Sequence, residues 1–170
     1  MNQGAAPRRT TPRLRDYRAE DAAALNAVAL SAFAQFSEDY SDWPAMAEGV
    51  SNMAALSARG EIVVAEDDGR VAGGVVYVPP QGERADFFEP DWALIRMLVV
   101  APEFRGLGLG RRLTEECLAR ARRDGAARIA LHTTSIMSVA LPMYRRMGFR
   151  HLYPVAPILG VSYDVYALDL

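Results

Sequence analysis

Three glycines at alternate positions, Gly106, Gly108 and Gly110, stand between an apolar run, Ile95 to Val100, and an arginine-rich amphipathic segment. Each glycine lowers helix stability by roughly 1 kcal/mol relative to alanine, so the run marks a turn whose backbone must bend unusually or approach something closely. Main-chain N–H groups without a Cβ in the way, followed by a helix N-terminus, suit an anion. The alternative is a turn that merely packs strand against helix. A P-loop is excluded, since Gly110 is followed by Arg111 and Arg112 where Lys and Ser or Thr are required. All 19 Lys+Arg residues are arginine, so no Walker, kinase or Schiff-base lysine exists. The spacing G-x-G-x-G is one residue short of a dinucleotide fingerprint, and the next strand ends in "LHTT" without an acid.

A chain of 170 residues can bury a self-sufficient core, and the expectation is a tail over residues 1–11 followed by a single domain over 12–170. A formal charge of −2 argues against a general nucleic-acid or membrane-surface binder. One cysteine and two histidines form no recognisable disulfide or metal site. With no signal-like or spanning apolar run, a cytoplasmic location is expected.

Hydrophobic spacing predicts the order β-α-α-β-β-β-α-β-α-β-β. "RLRDY" alternates as a first strand, and Leu25, Val28, Ala29, Ala32 and Phe33 share one face of a first helix. A second helix is expected from Pro44 to about Ala58. Asp68-Gly69 joins two apolar runs as a hairpin. After the glycine run, Leu109, Leu113, Cys117, Leu118 and Ala121 form the inner face of a third helix. The prolines of 79–91 mark a loop, and Pro142 requires the fourth helix to begin near Val139.

The stretch "IRMLVV", then "APEFRGLGLGRRL", then "ALPMYRRMGF", resembles the GNAT superfamily of acyl-CoA-dependent N-acetyltransferases. Arg105, Gly108 and Gly110 fill that family's first signature; Ala140, Tyr144, Gly148 and Phe149 fill its second. The resemblance implies an α/β fold: a mixed, mostly antiparallel seven-stranded sheet, splayed between strands four and five and flanked by four helices. It implies acetyl-CoA as co-substrate, no metal, and a small-molecule or peptide amine as acceptor. It does not fix oligomeric state, and a homodimer is compatible with it.

By the same resemblance, the amides of Arg105, Gly106, Leu107, Gly108, Leu109, Gly110 and Arg111 hold the pyrophosphate, and the pantetheine arm pairs with Leu98, Val99 and Val100. Tyr144 contacts the cofactor and donates a proton to the departing thiolate; the plain alternative is a core tyrosine beside Met143 and Met147. His132 either relays a proton or bonds to backbone at a strand end. Arg96 stands where several family members carry a glutamate that orders the deprotonating water, which leaves the general base unassigned. Met137 replaces an asparagine that often contacts the cofactor. Phe36, Tyr40 and Trp43, with Phe33, Glu38, Asp39 and Asp42, either wall a pocket for a cationic amine or form a solvated, capping-rich connection. Cys117, on an inner helix face, is no candidate nucleophile, so direct attack of the amine on the thioester is expected. The alternative function is a catalytically silent acyl-CoA sensor on the same fold.

Overall fold

The turn at Asp68-Gly69 sets the sheet. Both residues have positive φ, 47° and 75°, the combination that matches the twist of two adjoining antiparallel strands, β2 (Glu61–Asp67) and β3 (Arg70–Val78). In this computed structural model, which describes residues 11–170, β1 (Arg13–Asp16) lies antiparallel to β2 and β4 (Ala93–Val100) antiparallel to β3. The tail expected over residues 1–11 lies outside the described residues except for Thr11. β5 (Arg128–Thr133), β6 (Arg150–Ile158) and β7 (Val161–Asp169) complete one seven-stranded sheet of order β1-β2-β3-β4-β5-β7-β6.

Helices cover both faces. α1 (Ala22–Phe33) and α2 (Trp43–Val50) close one core layer, in which Leu25, Ala29, Ala32 and Phe33 pack on Val64, Val76 and Leu94. α3 (Leu109–Arg123) and α4 (Ala140–Arg146) close the other, with Leu109, Leu113, Cys117, Leu141 and Tyr144 against Val63, Ile95 and Ile129. Full burial of a side chain such as Leu113 stabilises by about 1.5–3 kcal/mol. Arg120 ties α3 to the sheet margin through Asp16 of β1 and Glu61 of β2.

The element order and the mixed sheet agree with expectation; one helix boundary does not. α2 stops at Val50, and a 3-10 segment, Met53–Ala58, follows in place of the continuous helix expected to Ala58. Ser51 turns its hydroxyl back onto the Glu48 carbonyl, and the Ala54 N–H donates to the Asn26 side chain of α1 at 2.8 Å. A local polar bond and a tertiary one outcompete helix continuation there. α4 begins at Ala140, which puts Pro142 in the first turn, where its missing N–H costs no helical bond.

Strands β4 and β5 are the sheet's parallel pair and stay together only at Ala93↔Ile129 and Leu94↔Ala130. Beyond that they part. On β4 the pairing with β3 advances from Arg96 to Val99 while β3 advances only from Val76 to Gly74, and Met97 takes φ 50°. This is a bulge, which bends the strand and re-aims its side chains. Ala93 and Ile95 face the α3 layer, whereas Met97 and Val99 face the α1 layer.

Candidate functional site

A cavity of about 670 Å³ lies beyond the last β4–β5 pair. Leu98, Val99 and Val100 form one wall, and Phe104 to Arg111, apart from Leu107, the floor. Met137 to Ala140, with Met143 and Arg146, form the opposite wall, and the end of α1 with the 3-10 turn after it, Ala32 to Phe36 apart from Ala34, closes it. One edge of this part of β4 is occupied, since Val99 and Val100 pair with Gly74 and Gly73 of β3. The other edge is free past Leu94 and faces β5 across the gap.

The floor is backbone. Gly106 and Gly108 have φ of 77° and 73°, a hand that side-chain-bearing residues rarely adopt, and a Cβ at either would meet nothing within 4 Å. Glycine is therefore demanded there by conformation rather than crowding. Gly110 has no such backbone demand, and a Cβ on it would sit 3.6 Å from the Met143 sulfur in ordinary contact. Gly108 is the N-cap of α3 and supplies no side-chain cap. Among the described residues, the amides from Gly106 to Arg111 have no hydrogen-bond partner. A turn of bare donors at the positive end of a 15-residue helix is an anion cradle.

A second constellation sits at the mouth of the splay. Arg96 on β4 and His132 on β5 are each two residues past the last paired position, level with one another. Phe88 stacks on the His132 ring at 6.0 Å and 15°, while Phe87 and Tyr163 meet it edge-on at 5.6 and 5.3 Å. Burial, and then the neighbouring Arg96 charge, push the imidazole down to about 4, so it is neutral at ordinary pH. Its Nδ1 is buried and has no hydrogen-bond partner among the described residues. Burial also lowers the Arg96 guanidinium, which is partly buried and makes no hydrogen bond or ion pair with any described residue.

The loop at 79–92 supplies the two phenylalanines and is ordered from within. Arg84 donates to four of its carbonyls, those of Pro79, Gly82, Glu89 and Trp92, at 2.6 to 2.9 Å. Tyr40 and Tyr163 share a buried hydrogen bond that joins the α1–α2 connection to β7.

Tyr144 is 5% exposed and belongs to the α3 core layer, with Phe149 edge-on at 5.5 Å; it does not line the cavity. Burial raises its phenol well above the usual value, so it stays protonated, and no described residue bonds its hydroxyl. Cys117 is fully buried, its thiol pushed up to about 12 by desolvation. That makes it inert.

Of the cofactor contacts expected from the sequence, Leu98, Val99, Val100, Arg105, Gly106, Gly108, Leu109, Gly110 and Arg111 come together on the cavity. Leu107 and Tyr144 do not; Leu107 points outward, 37% exposed. Of the acceptor candidates Phe33 and Phe36 reach this cavity, while Tyr40, Trp43, Arg96 and His132 lie outside its walls. Glu38, Asp39 and Asp42 are exposed, and Asp42 caps α2 by accepting from Ala45 at 3.0 Å, as the solvated connection requires. Sequence reasoning missed Gln35, Ser138, Val139, Met143 and Arg146. Met143 and Arg146 were open to detection, being one helical turn apart and on the α4 face opposite Leu141 and Tyr144. The others carry no motif.

The model of the acetyltransferase (GNAT) family matches residues 25–149 of this chain. The uncharacterized N-acetyltransferase YjgM of Escherichia coli is 32% identical over 89 residues, which cover 52% of this chain and 50% of that protein. The mycothiol acetyltransferase of Cellulomonas flavigena is 36% identical over 89 residues, 51% of this chain and 26% of its own. The chain thus spans about half the length of the first relative and about a quarter of the second. Among solved structures, a GNAT family acetyltransferase from Brucella melitensis in complex with acetyl-CoA is 28% identical with a TM-score of 0.64, covering 93% of this chain and 87% of that one. An N-acetyltransferase from Staphylococcus aureus Mu50 shares the fold with a TM-score of 0.72 at 16% identity, over 94% and 99% of the two chains.

Proposed function

The chain belongs to the GNAT acetyltransferase family, and from that premise we propose that it transfers the acetyl group of acetyl-CoA to an amine by direct attack on the thioester. The observation that carries this is the run of unpartnered amides from Gly106 to Arg111 on the floor of a cavity whose wall is the free edge of β4. The amides and the α3 dipole suit a pyrophosphate, and the edge at Leu98 to Val100 suits the amides of a pantetheine arm. The co-substrate brings the activated acyl group, and the splay leaves an approach for a nucleophile between β4 and β5.

Tyr144 is the proposed proton donor to the leaving thiolate. Its phenol is neutral, its hydroxyl is uncommitted, and its helical neighbour Met143 is on the cavity wall. Cys117 is too deeply buried and too weakly acidic to support a covalent acyl-enzyme. The test is release of free thiol from acetyl-CoA across a panel of primary amines. Turnover with at least one amine, and a rise in melting temperature with coenzyme A but not NAD or ATP, are expected.

A second reading, a silent acyl-CoA sensor, is favoured by Tyr144 standing off the cavity wall and by Arg96 in the strand position expected for a base-ordering glutamate. Coenzyme A binding without thiol release for any amine would select it.

A further inference from the structure

A partly buried guanidinium with no carboxylate partner is costly, because removing a charge from water is repaid only by a charge or hydrogen bonds placed opposite it. Every other arginine of comparable burial near the sheet is engaged: Arg15 with Asp21 and Glu66, Arg120 with Asp16, Glu61 and Glu116, and Arg84 with four carbonyls. Arg96 is engaged with none of the described residues. The carboxylate whose field reaches it, Glu83, is already paired with Arg59 at 3.1 Å, and Arg59 adds a second positive charge to the same neighbourhood. The side chain facing it from β5, His132, is uncharged and offers no negative charge either. The field at the mouth of the splay is therefore positive, opposite to the acid-lined pocket that Glu38, Asp39 and Asp42 suggest in the sequence.

Its place matters as much as its charge. Arg96 precedes the bulge at Met97, and the cavity wall begins at Leu98, about 7 Å farther along the strand. A ligand held by Arg96 reaches the head of the cavity with a short spacer. Phe87, Phe88 and Tyr163 enclose His132 across the gap; Phe88 and Tyr163 are themselves buried, and Phe87 is the ring left partly exposed beside it. The guanidinium has five donors in a planar fork suited to bidentate capture of a carboxylate.

We propose that Arg96 anchors the carboxylate of the acceptor, so that the acceptor is a free amino acid with an apolar side chain, its amine directed toward the cavity and its side chain toward Phe87. This rests on the acetyl-transfer reading for the amine's fate, but the anchoring is a binding property and is tested as one. Calorimetric titration of the coenzyme-A-loaded protein with L-leucine, L-methionine and L-phenylalanine, each against its carboxamide, reads it directly. At least one acid should bind about 10- to 100-fold tighter than its amide, the range of a charge-assisted hydrogen bond. Arg96→Gln should erase that difference, and Arg96→Lys, which keeps the charge and loses the fork, should retain a smaller one. Retention of the coenzyme A thermal shift shows that either variant is folded; if Arg96→Gln is not, Arg96→Lys decides.

Three acids no better than their amides, or a full preference surviving in the folded variant, overturns the proposal. The two readings separate cleanly. Thiol release with simple amines and no dependence on a carboxylate sinks the anchor and leaves acetyl transfer standing. Acid-selective binding without any thiol release does the reverse.

Discussion

The cavity beside the glycine turn and the mouth of the splay lie side by side on β4 but are built from different material. The cavity floor is main chain, a contiguous turn from Arg105 to Arg111 whose donors are aimed by two left-handed glycines. The mouth is side chain: Arg96, His132, Tyr163 and the loop phenylalanines, brought from four segments of the sequence. A backbone site recognises what its geometry dictates and tolerates change in the residues around it. A side-chain site can be rewritten one residue at a time, which is how one fold serves many acceptors.

The sharpest way to break this contrast is at Gly108. A valine there forces a β-branched residue to φ 73° at the N-cap of α3, so Gly108→Val must reshape the turn or strain it by about 1–2 kcal/mol. Coenzyme A at about 100 times its Kd should stabilise the native protein by roughly 2.7 kcal/mol, a rise of roughly 5–11 °C in melting temperature. In the folded variant that rise should vanish, as read by thermal denaturation with and without the ligand. A retained shift would show that the amides of this turn do not hold the phosphates.

What the sequence alone makes legible follows the same division. The glycine turn, the order of the seven strands and the inner face of α3 are local patterns, and all appear where spacing puts them. α2 is shorter than its spacing predicts because the bond from Ala54 to Asn26 joins residues 28 apart, which no local window contains. Arg96 and His132 were visible as strand residues but not as neighbours, since their juxtaposition needs both the parallel β4–β5 pairing and the splay beyond it. Arg84 gave no signal: it acts through carbonyls, and any loop residue can supply those.

Tyr144→Phe probes the seam between the two regions. The ring and its contact with Phe149 survive, so packing and coenzyme A affinity should hold. If the hydroxyl acts mainly in the transition state, kcat and kcat/KM fall together, toward the low end of the 10²–10⁴-fold, very roughly, that general acids contribute. Steady-state kinetics with a good acceptor checks this, provided chemistry limits turnover. Unchanged rates would make Tyr144 a core residue, as its burial alone suggests.

Arg84→Ala should act on the mouth and spare the cavity. Losing four bonds to carbonyls loosens the loop that carries Phe87 and Phe88, at a cost of about 1–3 kcal/mol in stability. The acceptor KM should rise, roughly tenfold for each 1.4 kcal/mol of ordering that binding must now supply, while the coenzyme A thermal shift stays as in the parent. Protease cutting within 79–92 should quicken in parallel. An equal weakening of both ligands would mean that the two regions are one mechanical unit.

The smallest effect concerns His132 and runs through pH. Its imidazole is held down to about 4 by burial and the Arg96 charge, against an ordinary value of 6.5. Between those two values the unfolded chain binds a proton that the native protein refuses, so stability must fall as pH drops through 6.5 toward 4, and become insensitive to this group about one pH unit above 6.5. One such proton gives a slope of at most about 1.4 kcal/mol per pH unit. Asp21, Glu61 and Glu66 are held below the usual carboxylate range by their arginines, so their losses come at lower pH and are shared by any variant. Urea unfolding at pH 6.5, 5.5 and 5.0 should therefore show a decline in the parent protein that is shallower in His132→Phe, whose ring keeps the contacts with Phe88 and Tyr163 without a titrating nitrogen. Parallel declines would mean that the imidazole takes up its proton in the native state, which requires an anion already beside Arg96 or water reaching the ring.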